Sequence, residues 1–349
     1  MPVRINKLFV LCFLLSLGTL SAQETQYKVG AIGFYNVENL FDTIDQPNVR
    51  DTEFTPAGDY AYNSTVYYHK LANLAKVMSE MATDVTPDGL SMIGVAEIEN
   101  RSVLEDLVAQ PALKDRNYQI AHYDSWDKRG IDVGLLYQEK YFDLDTARYL
   151  RMHDLFYADG DTVFTRDILW VSGLYDGEPI HVFVNHWPSR RGGEAASAPL
   201  RNAAALRFKL VADSIQLADP TAKIVMMGDL NDDPTSPSLD KVIAAKSKVN
   251  KLKSGDYYNP MYELFRQGLG SNAYRDKWSL FDQIVLNEKL ARDESGWRYY
   301  QTHIYNPAYM YQKSGRYRGY PQRAFVSGRY VKGYSDHFPV YVLLVKPVK

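Results

Sequence analysis

Short apolar segments that each meet a polar residue recur along the chain and constrain its fold more than any other feature. They are rich in Val, Ile, Leu, Met and Phe and are bounded by turn residues, a pattern typical of β-strands. A polar or charged residue follows each segment closely or lies within it. We therefore predict six strands: Val29–Tyr35, Leu90–Ala96, Ile180–Asn185, Lys223–Met227, Leu280–Leu286 and Pro339–Val345.

Three amphipathic segments between the strands predict helices. His69–Ala82 places apolar side chains on one face, and Ser102–Ala109 begins with Ser102 at the spacing of a capping box. Pro199–Ala218 carries a further apolar stripe, and Pro199 suits the first turn of a helix. Strands that alternate with helices indicate an α/β fold.

The first 22 residues have the features of a signal peptide. Arg4 and Lys7 precede an apolar run of about 13 residues, which is too short to span a bilayer. We predict cleavage of residues 1–22, a secreted or periplasmic location without a stable membrane anchor, and a single domain over residues 23–349. The only cysteine, Cys12, lies in the signal, so a mature chain would lack disulfides, cysteine-ligated zinc and a cysteine nucleophile.

Carboxylates and amides gather at the ends of the predicted strands. Glu97 ends an apolar strand, where a carboxylate is costly unless it is paired or bound to a cation. Asp229 and Asn231 are two residues apart in GDLN, so an extended backbone would point them the same way. Carboxylates and asparagine oxygens are hard ligands, suited to Mg²⁺, Mn²⁺ or Ca²⁺ rather than zinc.

Two histidines accompany these carboxylates. His186 directly follows the strand IHVFVN, and His337 follows Asp336 just before the last strand. Imidazoles transfer protons near neutral pH, so both residues are candidates for acid–base chemistry.

Taken in order, several motifs resemble those of the endonuclease/exonuclease/phosphatase superfamily, the group of pancreatic-type deoxyribonuclease. The motifs are FYNVENLF, VAEIEN, RGIDVGLLY, VNHWPSR, MMGDLNDDP, FDQIVLN and YSDHFPV, and they extend from about Asn36 to Val345. The resemblance implies one catalytic domain, a four-layer α/β sandwich of two mixed β-sheets flanked by helices. It also implies a phosphoesterase that depends on a divalent metal, Mg²⁺ first, with Mn²⁺ or Ca²⁺ as alternatives.

The resemblance also implies metal ligands. Glu97 corresponds to the principal metal-binding glutamate of the superfamily, and Asn36 to an asparagine that helps to hold metal or phosphate. Asp336 corresponds to a further metal or water ligand.

Catalytic roles are implied for five other residues. His337 corresponds to the catalytic histidine, and Asp282 to the aspartate that orients it. Asp229 and Asn231 correspond to the pair that positions the attacking water and the phosphoryl oxygens. His186 corresponds to a second histidine that contacts phosphate or protonates the leaving oxygen. An imidazole fixed by a carboxylate gains basicity and can deprotonate water for in-line attack.

Arginines near these motifs are candidate substrate ligands. Arg190 and Arg191 follow His186 just before a predicted helix, where guanidinium groups and a helix N-terminus favour an anion. Arg129 precedes the strand RGIDVGLLY. Asp132 within that strand is either a further metal or histidine partner or the salt-bridge partner of Arg129.

A basic, tyrosine-rich segment precedes the last motif. Residues 297–335 contain seven Lys or Arg, Arg316 and Arg318 among them, with nine Tyr and no Asp or Glu, in a chain of formal net charge −2. The part from Asn306 to Gly333 has no clear period and is predicted to be a long loop region. Cations interleaved with aromatic rings suit a polyanion with stackable bases, and they also suit an anionic lipid surface.

We therefore expect a secreted phosphodiesterase that acts on DNA or RNA, most simply as an endonuclease. The first alternative is a sphingomyelinase-like phosphoesterase of lipid or inositol-phosphate substrates. A more distant alternative is a non-catalytic protein that binds a polyanion or a glycan. No protein partner is implied.

Overall fold

Sixteen strands and five α-helices form the regular structure of residues 26–157 and 160–348, the part of the chain that the computed structural model describes. The predicted signal peptide, residues 1–22, lies outside this part. The strands are β1 (Tyr27–Leu40), β2 (Met92–Ile98), β3 (Tyr118–His122), β4 (Asp132–Gln138), β5 (Phe142–Leu150), β6 (Ile168–Tyr175), β7 (Glu178–His186), β8 (Lys223–Asp229), β9 (Tyr257–Tyr258), β10 (Asn272–Tyr274), β11 (Lys277–Ser279), β12 (Asp282–Asn287), β13 (Arg298–Ile304), β14 (Phe325–Val326), β15 (Arg329–Tyr330) and β16 (Val340–Pro347). The helices are α1 (Ser64–Glu80), α2 (Arg101–Val108), α3 (Glu194–Ala218), α4 (Met261–Arg266) and α5 (Glu288–Arg292).

Two six-stranded mixed sheets form the centre of the fold. The first has the order β13-β16-β1-β2-β4-β3, and the second has the order β5-β6-β7-β8-β12-β9. In the first sheet β1 and β2 are parallel, and in the second β7 and β8 are parallel, whereas the other neighbours are antiparallel. Each parallel pair lies in the middle of its sheet. Because the two strands of a pair run in the same direction, their carboxyl ends meet at one edge of the sheet.

Alternating side chains divide the core into three layers. Along β1, Ile32 and Phe34 pack between the sheets, while Ala31 and Tyr35 face the helical side, as the period of a strand requires. Helices α1 and α2 cover the outer face of the first sheet, and α3 covers that of the second, where Phe208 packs on the strands. The predicted four-layer α/β sandwich is confirmed.

The six predicted strands all form, with ends that differ by a few residues. The predicted loop region contains only a short turn and the two-residue strands β14 and β15. Just before it, β13 forms an edge strand of the first sheet, which the sequence pattern did not indicate. None of the helices in the described part of the chain is long and apolar enough to cross a bilayer.

The predicted start of α3 is wrong. The helix begins at Glu194, five residues before Pro199. Arg201 is fully buried and donates hydrogen bonds to the carbonyl oxygen of Glu194 (3.1 Å) and to Ser197 Oγ (2.8 Å). These bonds stabilise a turn ahead of the proline, so Pro199 lies inside the helix and does not begin it.

The predicted cap of α2 is also displaced. Asn100, not Ser102, is the N-cap, because its side chain accepts a hydrogen bond from the Val103 N–H (3.1 Å). The Ser102 hydroxyl donates to Asn100 Oδ1 (2.6 Å) and therefore supports the cap from inside the helix.

Replacing the cap tests this assignment. Asn100→Ala should lower the free energy of unfolding by about 1 kcal/mol, because it leaves helical N–H groups without an acceptor. Ser102→Ala should lower it by less than half as much. Urea unfolding followed by circular dichroism measures both values, and a larger loss for Ser102→Ala would contradict the assignment.

Candidate active site

A double irregularity where β1 and β2 end positions Glu97. The strands pair regularly up to Asn36 and Ala96, and pairing resumes only at Leu40 and Ile98. Glu38, Asn39 and Glu97 all have positive φ (53°, 49° and 63°), a left-handed conformation that Asn tolerates but that is unfavourable for Glu. The Asn39 N–H donates to Glu97 Oε2 (2.9 Å) and holds the carboxylate at the sheet edge, where its side chain is 16% exposed.

A buried lysine supports this irregularity. Lys70 of α1 donates hydrogen bonds to the backbone carbonyl oxygens of Glu38 and of Asn39, the latter at 3.1 Å. Its side chain is fully buried, so the carbonyl groups compensate for the loss of water around the ammonium group. Sequence analysis missed Lys70, which lies beside the apolar stripe of its helix.

The second sheet presents three residues at the same edge. His186 and Asp229 are direct neighbours on the parallel strands β7 and β8, and Asp282 is the neighbour of Asp229 on β12. A side chain at Gly228 would overlap the carbonyl oxygen of Asn185, so glycine is required for the close approach of β7 and β8.

Asp229 is the centre of the cluster. Its Oδ2 accepts a hydrogen bond from Asn36 Nδ2 of the first sheet (3.0 Å), and its Oδ1 accepts one from the Asn231 N–H (3.0 Å). His186 Nε2 lies 3.7 Å from Asp229 Oδ2, and His337 Nε2 lies 3.9 Å from it. Four other predicted site residues therefore converge around the Asp229 carboxylate.

The backbone at Asn231 differs from the expectation. Its φ is 49°, so the segment is not extended as predicted. The side-chain amide donates a hydrogen bond to the carbonyl oxygen of Trp187 (3.0 Å).

Asp282 orients His337. Asp282 Oδ2 is 2.6 Å from His337 Nδ1, and the His337 N–H donates to Ser335 Oγ (3.1 Å). Burial by itself would lower the pKa of His337, but the charges of Asp282, Asp229 and Asp336 outweigh it and hold that pKa well above its ordinary value.

His186 has the opposite environment. Burial, reinforced by the positive charges of Arg166 and Arg129, holds the pKa of His186 well below its ordinary value, so this imidazole is neutral. Arg166 donates to the carbonyl oxygens of His186 (3.2 Å) and Trp187 (2.7 Å) and pairs with Asp127 (2.9 Å). Sequence analysis missed this buried pair, since its residues are 39 positions apart and belong to no motif.

The carboxylates of the cluster fit a divalent cation. Ligand atoms of Glu97, His186 and Asp229 lie within 4.8 Å of one another, as do those of Asp229, Asp282 and His337. Burial and the charges of Asp282 and Glu97 raise the pKa of Asp229 to about 6, although His337 and the Asn231 N–H oppose the shift. Asp282 Oδ1 is buried and has no hydrogen-bond partner in the described part of the chain. Crowded, incompletely paired oxygen atoms of this kind suit a hard cation.

Asp336 lies beside an arginine. Its Oδ2 accepts a hydrogen bond from Arg323 (2.6 Å), which also donates to Glu38 Oε1 (3.1 Å). Asp336 belongs to neither of the two groups of close ligand atoms.

The predicted substrate arginines differ in their surroundings. Arg190 donates to the carbonyl oxygen of Asn231 (2.9 Å), and its guanidinium lies over the Phe281 ring (4.5 Å). Arg129 pairs with Asp127 (3.5 Å), so it is not the salt-bridge partner of Asp132. Arg191, Arg316 and Arg318 are exposed.

Comparisons with known proteins identify the family of the chain. The sequence profile of the Endonuclease/Exonuclease/phosphatase family matches residues 31–346. A search among curated proteins found no match.

Solved structures share the fold at low sequence identity. TDP2 from D. rerio, humanized by 14 mutations, is 13% identical, with 90% of this chain and 98% of that chain covered and a TM-score of 0.54. A family protein from Bacteroides thetaiotaomicron is 14% identical, with coverages of 93% and 97% and a TM-score of 0.55. D. rerio TDP2 complexed with single strand DNA product is 13% identical, with coverages of 90% and 98% and a TM-score of 0.52.

Removing the charge beside His337 tests the electrostatics of the site. In Asp282→Asn we expect the pKa of His337 to fall toward its ordinary value of 6.5, because the carboxylate that favours the imidazolium is gone. An NMR titration of the imidazole in metal-free protein measures this shift. An unchanged pKa would contradict the assignment.

The same contact predicts a pH-dependent stability. Since the pKa of His337 is raised in the folded protein, its ionic contact with Asp282 contributes fully below pH 6.5 and is lost as the pH rises through the folded pKa. The difference in the free energy of unfolding between the native chain and Asp282→Asn should therefore shrink as the pH rises. Urea unfolding across a pH series measures it, and a constant difference would contradict the account.

Proposed function

The chain belongs to the endonuclease/exonuclease/phosphatase family, and from this premise we propose that it is a divalent-metal-dependent phosphodiesterase that cleaves nucleic acid as an endonuclease. Proteins of this family are generally hydrolases that act on phosphoester bonds. The observation that carries the proposal is the position of Asp229 between two histidines whose pKa values are shifted in opposite directions. Paired groups with separated pKa values suit acid–base work at one centre.

Glu97, Asp229 and Asn36 would hold the metal, with Mg²⁺ as the first choice. A bound divalent cation would neutralise charge on the phosphoryl oxygens and, through its own positive charge, favour the neutral form of His337. Asp336, whose carboxylate is 35% exposed beside Arg323, would act on water at the margin of the site.

The two histidines would handle the protons. His337, fixed through Nδ1 by Asp282, presents Nε2 toward Asp229 and would accept the proton of the attacking water there. His186 stays neutral, so it would not transfer a proton but would donate a hydrogen bond from Nε2–H to a phosphoryl or leaving-group oxygen. Asn231 and Arg190 would bind the phosphoryl oxygens of the substrate. The Asn231 carbonyl oxygen accepts a hydrogen bond from Arg190 and thereby positions its guanidinium group.

A cavity beside the cluster supports a substrate with bases. It has a volume of about 180 Å³ and is lined by Phe54, Tyr60, Phe325 and Arg323, next to Asn39, whose N–H holds Glu97. Bases stack on aromatic rings largely independently of sequence. The shared fold of D. rerio TDP2, solved with a single strand DNA product, supports the same substrate class. The exposed Arg191, Arg316 and Arg318 would contact the backbone farther along the strand.

We also propose that the chain is exported from the cytoplasm. The signal-like residues 1–22 support a secreted or periplasmic enzyme. N-terminal sequencing of the protein recovered outside the cytoplasm should begin near Gln23, and a chain that retains Met1 would contradict export by cleavage.

Variants of the cluster test the chemistry. Glu97→Gln and His337→Ala should each lower kcat on a simple phosphodiester such as bis(p-nitrophenyl) phosphate by about 10²–10⁴-fold, since each removes a metal ligand or a proton acceptor. A chelator should abolish the activity of the native chain, and added Mg²⁺ should restore it.

His181→Ala is the matched control for these variants. This imidazole lies on the same strand as His186 but accepts its hydrogen bond from Trp170 (3.2 Å). The kcat of His181→Ala should stay within about twofold of the native value. Full activity of folded Glu97→Gln or His337→Ala, with an unchanged circular dichroism spectrum, would contradict the assignment of the active site.

The cavity generates a separate prediction. Tyr60→Leu should raise KM for single-stranded DNA by about tenfold and leave kcat nearly unchanged, because stacking of one base is worth about 1–3 kcal/mol. Tyr68→Leu, which removes an exposed ring on α1 outside the cavity and the basic segment, is the control and should leave KM unchanged. If Tyr60→Leu raised KM for bis(p-nitrophenyl) phosphate, which carries no base, by the same factor, the assignment of the cavity as a base-binding site would be contradicted.

A further inference from the structure

A second cluster of metal-ligand side chains lies on the first sheet. His122 ends β3, Asp132 begins the neighbouring strand β4, and Asp124 lies two residues beyond β3. One ligand atom from each of the three residues lies within 4.8 Å of the others. The cluster shares no residue with the active site.

His122 leaves a buried nitrogen without a hydrogen bond. Its side chain is 3% exposed, and Nε2 has no hydrogen-bond partner among the described residues. Burying a polar atom unpaired is unfavourable by about 1–3 kcal/mol, so this nitrogen requires a partner, such as a water molecule or a metal ion. The atom points at the cluster, because it lies 3.4 Å from Asp132 Oδ2.

Asp132 is held so that one oxygen faces His122. Its Oδ1 accepts hydrogen bonds from the Ser125 N–H (2.9 Å) and from the Ser125 hydroxyl. Oδ2 is thereby directed at His122 Nε2, in a side chain that is 5% exposed. Hydrogen bonds to the far oxygen of a ligating carboxylate are the usual way in which proteins orient metal ligands.

The separation of the two buried atoms matches a transition-metal site. Two ligand atoms bound at about 2.1 Å to a tetrahedral Zn²⁺ lie about 3.4 Å apart. His122 Nε2 and Asp132 Oδ2 are 3.4 Å apart, and Asp124 supplies a third ligand from the solvent side.

We propose that His122, Asp124 and Asp132 bind a structural divalent transition metal of the Zn²⁺ type, separate from the cation of the active site. An imidazole nitrogen combined with two carboxylates favours Zn²⁺ over Mg²⁺ or Ca²⁺, which prefer all-oxygen ligands. Water completes the coordination at the exposed side, next to Asp124.

This metal would stabilise the segment between β3 and β4, which supports His186. The segment between β3 and β4 carries Asp127, which pairs with Arg166 (2.9 Å). Arg166 in turn donates to the carbonyl oxygen of His186 (3.2 Å). Binding at one end of this chain of contacts should therefore raise the melting temperature and order the segment.

Zinc stoichiometry tests the proposal. The chain is stripped with a chelator, dialysed against micromolar Zn²⁺ in excess Mg²⁺, and its metal content is measured by mass spectrometry. His122→Gln and Asp124→Asn should each bind about one Zn²⁺ fewer per chain than the native protein, and Zn²⁺ should raise their melting temperatures less. Because Asp124 is exposed, its variant keeps the fold even where His122→Gln disturbs packing.

Two control variants separate this site from the rest of the chain. His181→Gln removes a half-buried imidazole elsewhere and should keep the full zinc content. Glu97→Gln alters the active site and should retain the zinc ion that His122→Gln loses. Native zinc content in both His122→Gln and Asp124→Asn would overturn the proposal, as would displacement of this zinc by millimolar Mg²⁺. In either case the contact between His122 and Asp132 is a polar contact without a metal.

Discussion

The contacts of Asp229 join the two sheets, and the rest of the candidate site depends on them. Asn36 reaches this carboxylate from the first sheet, and His186 and Asp282 flank it in the second. Because both parallel strand pairs end at this edge, residues from distant parts of the chain meet without a long loop. Gly228 allows the close packing of β7 and β8 that this requires.

Buried charges outside the motifs stabilise this arrangement. Lys70 binds the carbonyl groups of the irregular end of β1, and Arg166 binds the carbonyl oxygens that follow β7. Each is compensated by a carboxylate or by carbonyl groups, which limits the unfavourable free energy of burying an ion. The positive φ of Glu97 is unfavourable in isolation, and these supports hold it where the carboxylate is useful.

Strand and helix periodicity predicted the α/β class, because it is a local signal. The four layers and the residues of the site followed from the resemblance that the motifs carry. The contacts that support the site join residues far apart in the chain, so no local pattern in the sequence indicated the pair of Arg166 and Asp127. The cap at Asn100 and the early start of α3 depend on hydrogen bonds within the helix ends, from the Val103 N–H to Asn100 and from Arg201 to Glu194, which the apolar pattern does not indicate. β13 was missed because its two tyrosines and its polar residues suit an exposed loop as well as a sheet edge. For Asp132, the structure selects a histidine, His122, over Arg129.

Cleavage of DNA tests the central claim most directly. Single-stranded and plasmid DNA would be incubated with the chain in Mg²⁺ or in chelator, next to sphingomyelin and inositol-phosphate substrates. The account predicts nicked plasmid and acid-soluble nucleotides only when metal is present, with the lipid and inositol esters left intact. Hydrolysis of those esters without cleavage of DNA or RNA would contradict the assigned substrate, and DNA cleavage that persists in chelator would contradict the metal-dependent site.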